Sequence, residues 1–507
     1  MMSDVKKMPV QSEKEKKSEL FKSLIIGLGA LLLLVLWLKL IPSPPEMEQE
    51  ERVGKKLFPA FTDPLKIGEI TITRPESDYE KIRSIRIMEQ DGFWKIASFF
   101  NYPAENRDQM ALAVSPLLQL TVLSLTEKMV DGNDLRKINE FHQNCRLIDP
   151  EDARKDQYSG CGIHLRIKGK QNEVYADLII GDTVPESSAV RDVRYVRLAG
   201  KDEVYIVDFA AGTVEGAAGE QIRSISDRLS TDPILWMNRD LLRISRWNIK
   251  KLFIHDYHYN KEKKGIAPRG YFELAQEPSE AIDRVWSLVR ELKLNDQLKY
   301  EPTGEKECSK LDNKRINAAA DALGHLQIEG VERKPEPASR IFRENRSVRD
   351  LVLQNIRLNE YGFYTADFDL LQPQKSEPCL IGENGDIVLL MKDGTSIRIL
   401  FGREEEKGIL VLVQAFFDLD SLKKPELLKM KEIPAKVSPD EKKKLEKENA
   451  GIKSENMLRK SEYQITVDEG SRRAAQLNLR FSDWFFRISK ENYDLIKAAS
   501  PVGQIGK

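Results

Sequence analysis

The chain has 507 residues, of which 41% are hydrophobic and 32% charged. It can therefore bury cores, and at roughly 150 residues per domain it is long enough for about three units. Lys and Arg number 80 against 81 Asp and Glu, so the net charge of −1 argues against a generally basic nucleic-acid binder. With only five His and four Cys, scattered along the chain, there is little material for a metal centre.

The first predicted element is a transmembrane helix over residues 23–41. Ser23–Leu38 carries no charge, and as a helix the whole segment reaches about 28 Å, close to the roughly 30 Å of a bilayer core. Pro42 and the prolines after it stop the helix. A cleaved signal peptide shares the Lys-rich start and apolar run, but its small-residue cleavage site is missing from Trp37–Pro42. The pattern favours an uncleaved anchor.

The orientation of this anchor follows from charge. Residues 3–22 carry six Lys, whereas an acidic run from Glu46 to Glu51 follows the helix. The positive-inside bias places residues 1–22 in the cytoplasm and everything after Pro42 outside. Residues 42–63 are expected to form a linker. The protein is thus predicted to be single-pass, with a large extracytoplasmic (periplasmic) part.

Beyond the linker, alternating apolar residues predict β-strands around one helix. The helix is expected over Asn106–Leu120, with an interruption near Pro116, and a counterpart is expected over Asn313–Leu323. The predicted strands are Ile70–Arg74, Ser84–Met88, Phe93–Ile96, Ile163–Ile167, Val174–Ile180, Tyr195–Leu198 and Glu203–Val207. Runs of strands around a helix indicate an α+β fold with an antiparallel sheet.

Six short blocks recur in the same order, which predicts a tandem duplication. The repeats are expected over residues 64–245 and 246–495, with Asp232–Asp240 as the connection and 496–507 as a tail. The matched blocks are Lys66–Thr73 with Asn248–His255, Trp94–Ile96 with Trp286–Leu288, Leu117–Lys128 with Leu323–Lys334, Ile163–Lys168 with Ile387–Lys392, Leu178–Asp182 with Ile399–Arg403, and Val196–Leu198 with Leu479–Phe481.

The offset between matched blocks jumps from 221 to 283, which predicts a charged helical insertion at residues 404–476 of the second repeat. Residues 421–462 contain twelve Lys and Arg and eight Asp and Glu. Ser438–Glu441 has the pattern of a helix N-cap with a capping-box Glu, and Leu445 and Ile452 form a thin apolar stripe. The segment is either a solvated helical excursion or a docking arm for a partner.

No catalytic, cofactor-binding or metal site is predicted. His255 and His258 are three apart on a strand, so they face opposite sides and are expected to be exposed at a strand end. His142 and His164 are isolated, and Asp131–Asp134 is a turn without the ligand pattern of an EF-hand. The chain contains no G-x-S-x-G elbow, no phosphate-binding P-loop and no H-E-x-x-H motif.

The cysteines offer one candidate disulfide. Cys145 and Cys161 flank a polar loop of an exported domain, where disulfides persist, and a bond there stabilises by roughly 3 kcal/mol. Cys308 and Cys379 form a second, weaker pairing. The sequence leaves open whether either pair lies within bonding range.

Several segments together resemble the domain of unknown function 4340 family. They are Leu57–Phe61, Gly92–Lys95, Tyr102–Ala104, Leu178–Asp182, Arg194–Arg197 and Trp236–Leu242. The resemblance covers most of residues 56–245 and, more loosely, 246–495. It implies a bacterial, membrane-anchored, exported protein associated with gliding-motility-type ABC transporter systems, without established catalytic residues. The long charged insertion and the four cysteines depart from the family pattern.

These observations predict a non-catalytic accessory or binding protein in the bacterial inner membrane. Its expected partners are the membrane and subunits of an ABC transporter, with no cofactor and no nucleic acid. Two alternatives stay open: a structural envelope protein independent of any transporter, and an enzyme whose site is not recognisable in the sequence.

Overall fold

Two large β-sheets form the core of this protein. The structure, a computed structural model, describes residues 52–126, 135–185, 191–210, 224–263, 265–276, 285–294, 300–302, 311–344, 346–366, 378–433 and 438–500. The predicted transmembrane helix 23–41 lies outside these residues, as do residues 1–22, most of the linker, Asp131–Asp134 and Cys308. None of the described helices is both long enough and apolar enough to cross a membrane.

Sheet A contains nine strands in the order β4-β3-β2-β1-β6-β7-β8-β9-β5. Helix α1 (Arg107–Leu118) lies between β4 and β5 in the chain, followed later by α2 (Leu135–Asn144) and the single-turn α3 (Ile225–Arg228). The strands are β1 (Ile67–Pro75), β2 (Ile82–Gln90), β3 (Phe93–Ile96), β4 (Tyr102–Pro103), β5 (Val122–Leu125), β6 (Ile163–Gly169), β7 (Val174–Thr183), β8 (Val193–Leu198) and β9 (Val204–Asp208).

Sheet B also contains nine strands, in the order β13-β12-β11-β10-β17-β18-β19-β20-β14. A separate ribbon is made by β15 (Phe363–Ala366) and β16 (Cys379–Gly382). The strands of sheet B are β10 (Ile249–Asn260), β11 (Gly265–Gln276), β12 (Trp286–Leu294), β13 (Tyr300–Pro302), β14 (Gly330–Arg333), β17 (Asp386–Met391), β18 (Thr395–Glu405), β19 (Gly408–Phe417) and β20 (Trp484–Ile488).

Five helices accompany sheet B. Helix α4 begins after Asp312, whose carboxylate accepts hydrogen bonds from the backbone N–H groups of Lys314 and Arg315, as an N-cap residue should. The helices are α4 (Asn313–Gly324), α5 (Glu336–Arg343), α6 (Val348–Leu353), α7 (Pro439–Phe481) and α8 (Lys490–Lys497).

The chain divides into two compact units at Thr231/Asp232, the start of the predicted connection. Unit 1 comprises Met1–Glu89 and Asp108–Thr231, and unit 2 comprises Gln90–Arg107 and Asp232–Lys507. The short strands β3 and β4 therefore belong to unit 2.

The two sheets have the same strand order, position by position. In each, a twelve-residue helix separates the fourth strand from the fifth, and the two helices are offset by 206 residues (313 − 107), as the sequence match predicts. Helix α1 runs through Pro116, where an interruption was expected. The predicted α+β fold with antiparallel sheets is confirmed.

Strand register corrects one of the predicted matches by two residues. Ile70 pairs with Ile167 in sheet A, and Leu252, 182 positions after Ile70, pairs with Leu389 in sheet B. Strands β6 and β17 are therefore offset by 222 (389 − 167), not 224. A shift of two residues leaves each side chain of the strand on the same face of the sheet. Apolar alternation alone therefore fits an offset of 222 and an offset of 224 equally well.

The match of Val196–Leu198 with Leu479–Phe481 is wrong. Val196 pairs with Ile180, and its counterpart Val411 pairs with Phe401, so β8 corresponds to β19. Leu479–Phe481 instead ends helix α7, whose buried residues Ala474, Leu477 and Phe481 are spaced three and four apart. A three-residue window cannot distinguish this spacing from strand alternation.

The boundaries of the predicted insertion change as a result. The connection between β8 and β9 has five residues, 199–203, whereas residues 418–483 connect β19 to β20. The predicted range 404–476 thus includes β19, which is not helical. Residues 408–413 of β19 are all buried, and a strand buried on both faces reads as a continuous apolar run rather than as an alternation.

Candidate functional sites

Residues 418–483 contain an extension that sheet A lacks. We call residues 422–433 the strap, and the strap together with residues 438–469 of α7 the arm. Helix α7 is 43 residues long, and its buried residues, Gly470, Ala474, Leu477 and Phe481, all lie in its last third. The Ser438 hydroxyl accepts from the backbone N–H of Glu441, which confirms the predicted N-cap.

Two asparagines fasten the strap to the helix. Asn456 accepts from the backbone N–H of Leu428 at 2.7 Å and donates to its carbonyl at 2.8 Å. Asn449 makes the same pair of bonds, both 2.8 Å, with Lys431. Each asparagine therefore satisfies a backbone donor and acceptor together, as a neighbouring β-strand would. The strap runs antiparallel to the helix.

The root of the arm is anchored differently, by buried contacts in unit 2. Asn478 clamps the backbone of Ala415 in β19 in the same reciprocal way. The buried Lys334 ammonium donates to the carbonyls of Phe481 at 2.8 Å and Ser482 at 3.2 Å, capping the end of α7. Burial lowers the pKa of Lys334 to about 7, against an opposing effect of Asp483.

The outer surface of the arm carries exposed apolar side chains among its charges. Leu445 and Ile452, the predicted stripe, are partly buried and lie on the helix face of Asn449 and Asn456. The exposed ones are Leu427, Leu428, Met430, Ile433, Met457, Leu458 and Ile465. Met430 and Met457 are 64% and 65% exposed, so the arm offers flexible apolar contacts to a second molecule.

His164 is buried at the centre of a charge cluster of unit 1, where the sequence predicted an isolated residue without a functional role. Its Nδ1 lies 2.9 Å from Asp149, and its Nε2 lies 2.7 Å from Asp177. Arg166 bridges Asp177 at 3.1 Å and Glu151 at 3.3 Å. Burial disfavours the charged imidazolium form, but the hydrogen bonds that His164 donates to the two aspartates raise its pKa to about 9.

Three residues of this cluster have a spacing that suits a metal ion. Donor atoms of Asp149, Glu151 and His164 all lie within 4.8 Å of one another. A metal needs a neutral histidine with a free lone pair, whereas both nitrogens of His164 face carboxylates. The guanidinium of Arg166 also already pairs with Glu151 and Asp177. The arrangement fits a salt-bridge network better than a metal centre.

We expect the stability that His164 contributes to the folded protein to be lost as the pH rises from 6.5 to 9. The pKa of His164 is about 9 in the folded chain against an ordinary 6.5, so its contribution is full below pH 6.5 and is lost as pH rises through 9. The loss is about 3 kcal/mol at 1.4 kcal/mol per pKa unit. Urea unfolding of the detergent-solubilised chain at pH 6 and pH 9.5 measures it.

The control for this pH dependence is His164→Gln. The variant should lack the loss due to His164 and keep the opposite effect of Lys334, whose lowered pKa gives stability that rises with pH above 7. The difference between the two proteins therefore isolates His164. An equal slope in both proteins would contradict the assignment.

Sheet B has a buried charge cluster at the equivalent place, where an acid replaces the histidine of sheet A and an arginine replaces its aspartate. His164 corresponds to Asp386 and Asp177 to Arg398, at offsets of 222 and 221 residues. Arg398 donates to Asp386 at 2.9 and 3.3 Å, and the Tyr257 hydroxyl donates to it at 3.0 Å. Burial alone would raise the pKa of Asp386, but Arg398 and His255 hold it well below its usual range.

The prediction that His255 is exposed is wrong. His255 is buried, and its ring stacks on Tyr271 with 4.9 Å between the ring centroids. Its Nδ1 lies 2.6 Å from Asp386 Oδ1, but the angles do not suit a hydrogen bond. His258 is exposed and contacts Asn384, so the two histidines do face opposite sides. His142 is also buried, with its Nε2 3.1 Å from the carbonyl of Asp202.

The structure has Cys145 and Cys161 as buried free thiols, so the candidate disulfide is not formed in it. Cys145 packs against Leu147 and Ile179, and Cys161 lies at the start of the segment that leads into β6. Burial raises the pKa of both thiols, that of Cys161 to about 11. Protonated thiols are poor nucleophiles, which argues against a reactive role. Cys379 is partly buried.

Several of these features have no signal in the sequence. The buried clusters depend on strand pairing between residues far apart, and nothing local marks Lys334 as a helix cap. The strap has one available signal, the two asparagines seven residues apart on a helix of otherwise charged residues. No family model, curated protein or solved structure matches the chain.

Proposed function

We propose that this protein is a non-catalytic, membrane-anchored extracytoplasmic binding protein, built by tandem duplication, whose arm contacts a subunit of an ABC-type transporter. The helix predicted at residues 23–41 is its tether in the bacterial inner membrane. The single observation that carries the contact role is the arm itself, a long element at a place where the first repeat has a connection of five residues. The arm also keeps apolar side chains exposed.

The duplication is supported by topology. Nine strands follow in the same order in both sheets, with a helix of equal length at the same place. Two copies of one scaffold that differ mainly in one insertion suggest that the insertion was added for a separate purpose, because the fold of sheet A does without it.

The arm is poorly explained as part of the core. No described residue between 439 and 469 is buried, so deleting this part removes little buried apolar surface. Isolated helices gain little from propensity alone, yet this one is reinforced by the strap and by reciprocal asparagine bonds. A reinforced, projecting, partly apolar element suits a contact with another protein.

The choice of a transporter as partner rests on the family resemblance, which implies an auxiliary component of gliding-motility-type ABC systems. The near-neutral chain carries a net charge of +4 over residues 421–462, twelve cations against eight anions. Acidic external loops of a permease would complement this charge.

Site-specific photo-cross-linking in cells tests the proposal. A photoreactive residue at Met430 or Met457 should cross-link to a transporter permease or its extracytoplasmic subunit, identified by mass spectrometry. The matched control position is Leu65, an exposed apolar residue of unit 1 that is 82% exposed. Equal yields from Leu65, or no permease adduct from either arm position, would reject the proposal.

Deleting part of the arm distinguishes a role in partner contact from a role in folding. Removing residues 424–466 and closing the gap with a short Gly-Ser turn should leave the melting temperature within about 3 °C, since little buried surface is lost, and should abolish co-purification of the permease with the protein. The double variant Asn449→Ala/Asn456→Ala keeps the helix and releases the strap, and should weaken the adduct without changing global stability. Unfolding of the deletion variant would place the arm in the core instead.

A further inference from the structure

Unit 1 contains a cavity whose walls carry three arginines. Its volume is about 100 Å³, the space of about three water molecules, and it adjoins strands β1, β6, β7 and β8. Arg74, Arg146 and Arg194 line it together with Ser226 and Gly181. Three guanidinium groups around so small a space are costly unless anions balance them.

Arg194 is balanced by its own surroundings. Its Nε donates to Asp192 at 2.6 Å, its Nη1 to the carbonyl of Gly181 at 3.0 Å, and its Nη2 to the hydroxyl of Ser224 at 2.6 Å. Every nitrogen of this side chain has an acceptor. Its role is therefore to build the wall of the cavity.

Arg74 is in a different situation. Its Nη1 donates to the carbonyls of Ser226 at 2.7 Å and Leu229 at 3.2 Å. Among the described residues, no acceptor meets Nε or Nη2, which form the edge of a guanidinium that binds carboxylates and phosphates through paired hydrogen bonds. Burial lowers the pKa of Arg74, and the positive charge of Arg194 lowers it further, while Asp227 partly opposes this.

The acidic residues of the cavity wall are already paired with cations. Glu76 forms an ion pair with the exposed Arg83, and Asp182 lies 3.5 Å from Arg146. The lining therefore holds three positive and two negative side chains, a net charge of +1. Of the three arginines, only Arg74 forms no ion pair with a carboxylate among the described residues, and Asp227 acts on it from farther away.

At the equivalent position of sheet B, the charged side chain has hydrogen-bond partners that the chain itself supplies. Arg74 corresponds to Asp256, 182 positions later, as the strand register confirms for its neighbours. Asp256 accepts from Lys497 at 3.1 Å and from the hydroxyl of Ser500 at 2.8 Å, both from the C-terminal helix region. Sheet A has an arginine at this place, with backbone carbonyls as its only described hydrogen-bond acceptors.

We infer that this cavity binds a small oxyanion, such as inorganic phosphate or a carboxylate group, through the Nε and Nη2 edge of Arg74, with Arg146 and the Ser226 hydroxyl as further donors. The inference goes beyond the proposed contact role of the arm, which lies in the other unit. The paired donors of an arginine edge suit a planar or tetrahedral oxyanion, and they suit a monatomic ion such as chloride less well.

Titration calorimetry and thermal melting with inorganic phosphate, sulfate, acetate and chloride at equal ionic strength test the inference on the full-length chain. Phosphate or acetate should bind saturably and raise the melting temperature, and comparing the two shows which oxyanion geometry the cavity prefers. Chloride should do neither. The absence of saturable binding of any oxyanion at about 20 mM, a level that detects millimolar affinity, would overturn the inference.

The informative substitution is Arg74→Lys, which keeps the charge and removes the paired-bond edge. Phosphate or acetate affinity should fall about tenfold or more, the value of one strong hydrogen bond. Arg166→Lys, in the ion-paired cluster of the same sheet, is the matched control and should bind as the parent does. If Arg74→Lys does not fold, Arg146→Gln provides the test, because Arg146 is half-exposed. If the variant that folds, Arg74→Lys or Arg146→Gln, binds phosphate or acetate as tightly as the parent protein does, the inference is overturned.

Discussion

Replacing Asp386 by alanine is expected to destabilise the protein by about 3–5 kcal/mol, the usual cost of leaving buried charges without their partner. The side chain of Asp386 is fully buried and compensates Arg398 and His255, and it also accepts from the Tyr257 hydroxyl. Without it, Arg398 keeps a buried positive charge with no described carboxylate beside it. Urea unfolding of the full chain, followed by tryptophan fluorescence, measures the change.

Two variants make this result specific. Glu404→Ala removes an acid of unit 2 that pairs with Lys490 at 2.7 Å, but half of each side chain is exposed, so the loss should stay below about 1 kcal/mol. Replacing Asp386 and Arg398 together by leucine and methionine should recover part of the loss, because no buried guanidinium is then left without a carboxylate. A loss below 1 kcal/mol for Asp386→Ala would show that water or rearrangement relieves the cluster.

The same substitution at two glycines of helix α7 is expected to have opposite effects. A Cβ on Gly470 would lie 2.2 Å from the carbonyl oxygen of Asp393 and 2.8 Å from the ring of Phe417, so alanine must push the helix away from β18 and β19. Such overpacking costs about 1–3 kcal/mol. A Cβ on Gly451 meets nothing within 4 Å, and alanine there should stabilise the helix by about 1 kcal/mol.

Different observables report these two effects. Gly470→Ala should lower the midpoint of urea unfolding, because it disturbs the root where the arm joins the core. Gly451→Ala should leave that midpoint unchanged and slow hydrogen exchange of the arm, because local opening there does not require global unfolding. Equal shifts in the urea midpoint for the two variants would contradict the division of α7 into a packed root and a projecting arm.

The class of fold and the positions of most strands of the first repeat could be predicted because apolar alternation and turn residues are local. The helix at Asn313 and the cap at Ser438 follow from patterns a few residues long, and both are present. The boundary of the insertion could not be predicted, since β19 is buried on both faces and shows no alternation. A continuous apolar run fits a strand or a buried helix equally well.

The buried clusters and the cavity were beyond the sequence for another reason. His164, Asp149 and Asp177 come from three separate segments, and only the register of β6 and β7 brings the histidine and Asp177 together. Arg74 looks like any strand-end arginine until the partners of its nitrogens are known. Isolated charged residues in strands therefore need the sheet register before their role can be assigned.

The two asparagine clamps impose a rule on how the arm can change in length. Asn449 and Asn456 are seven helical residues apart, a rise of about 10.5 Å, and they hold Leu428 and Lys431, three extended residues that cover about 9–10 Å. An insertion of seven residues in the helix thus needs three more in the strap to keep the clamps in phase. In chains related to this one, the arm should lengthen or shorten by seven residues in the helix together with three in the strap. Each such step moves the tip of the arm by about 10 Å.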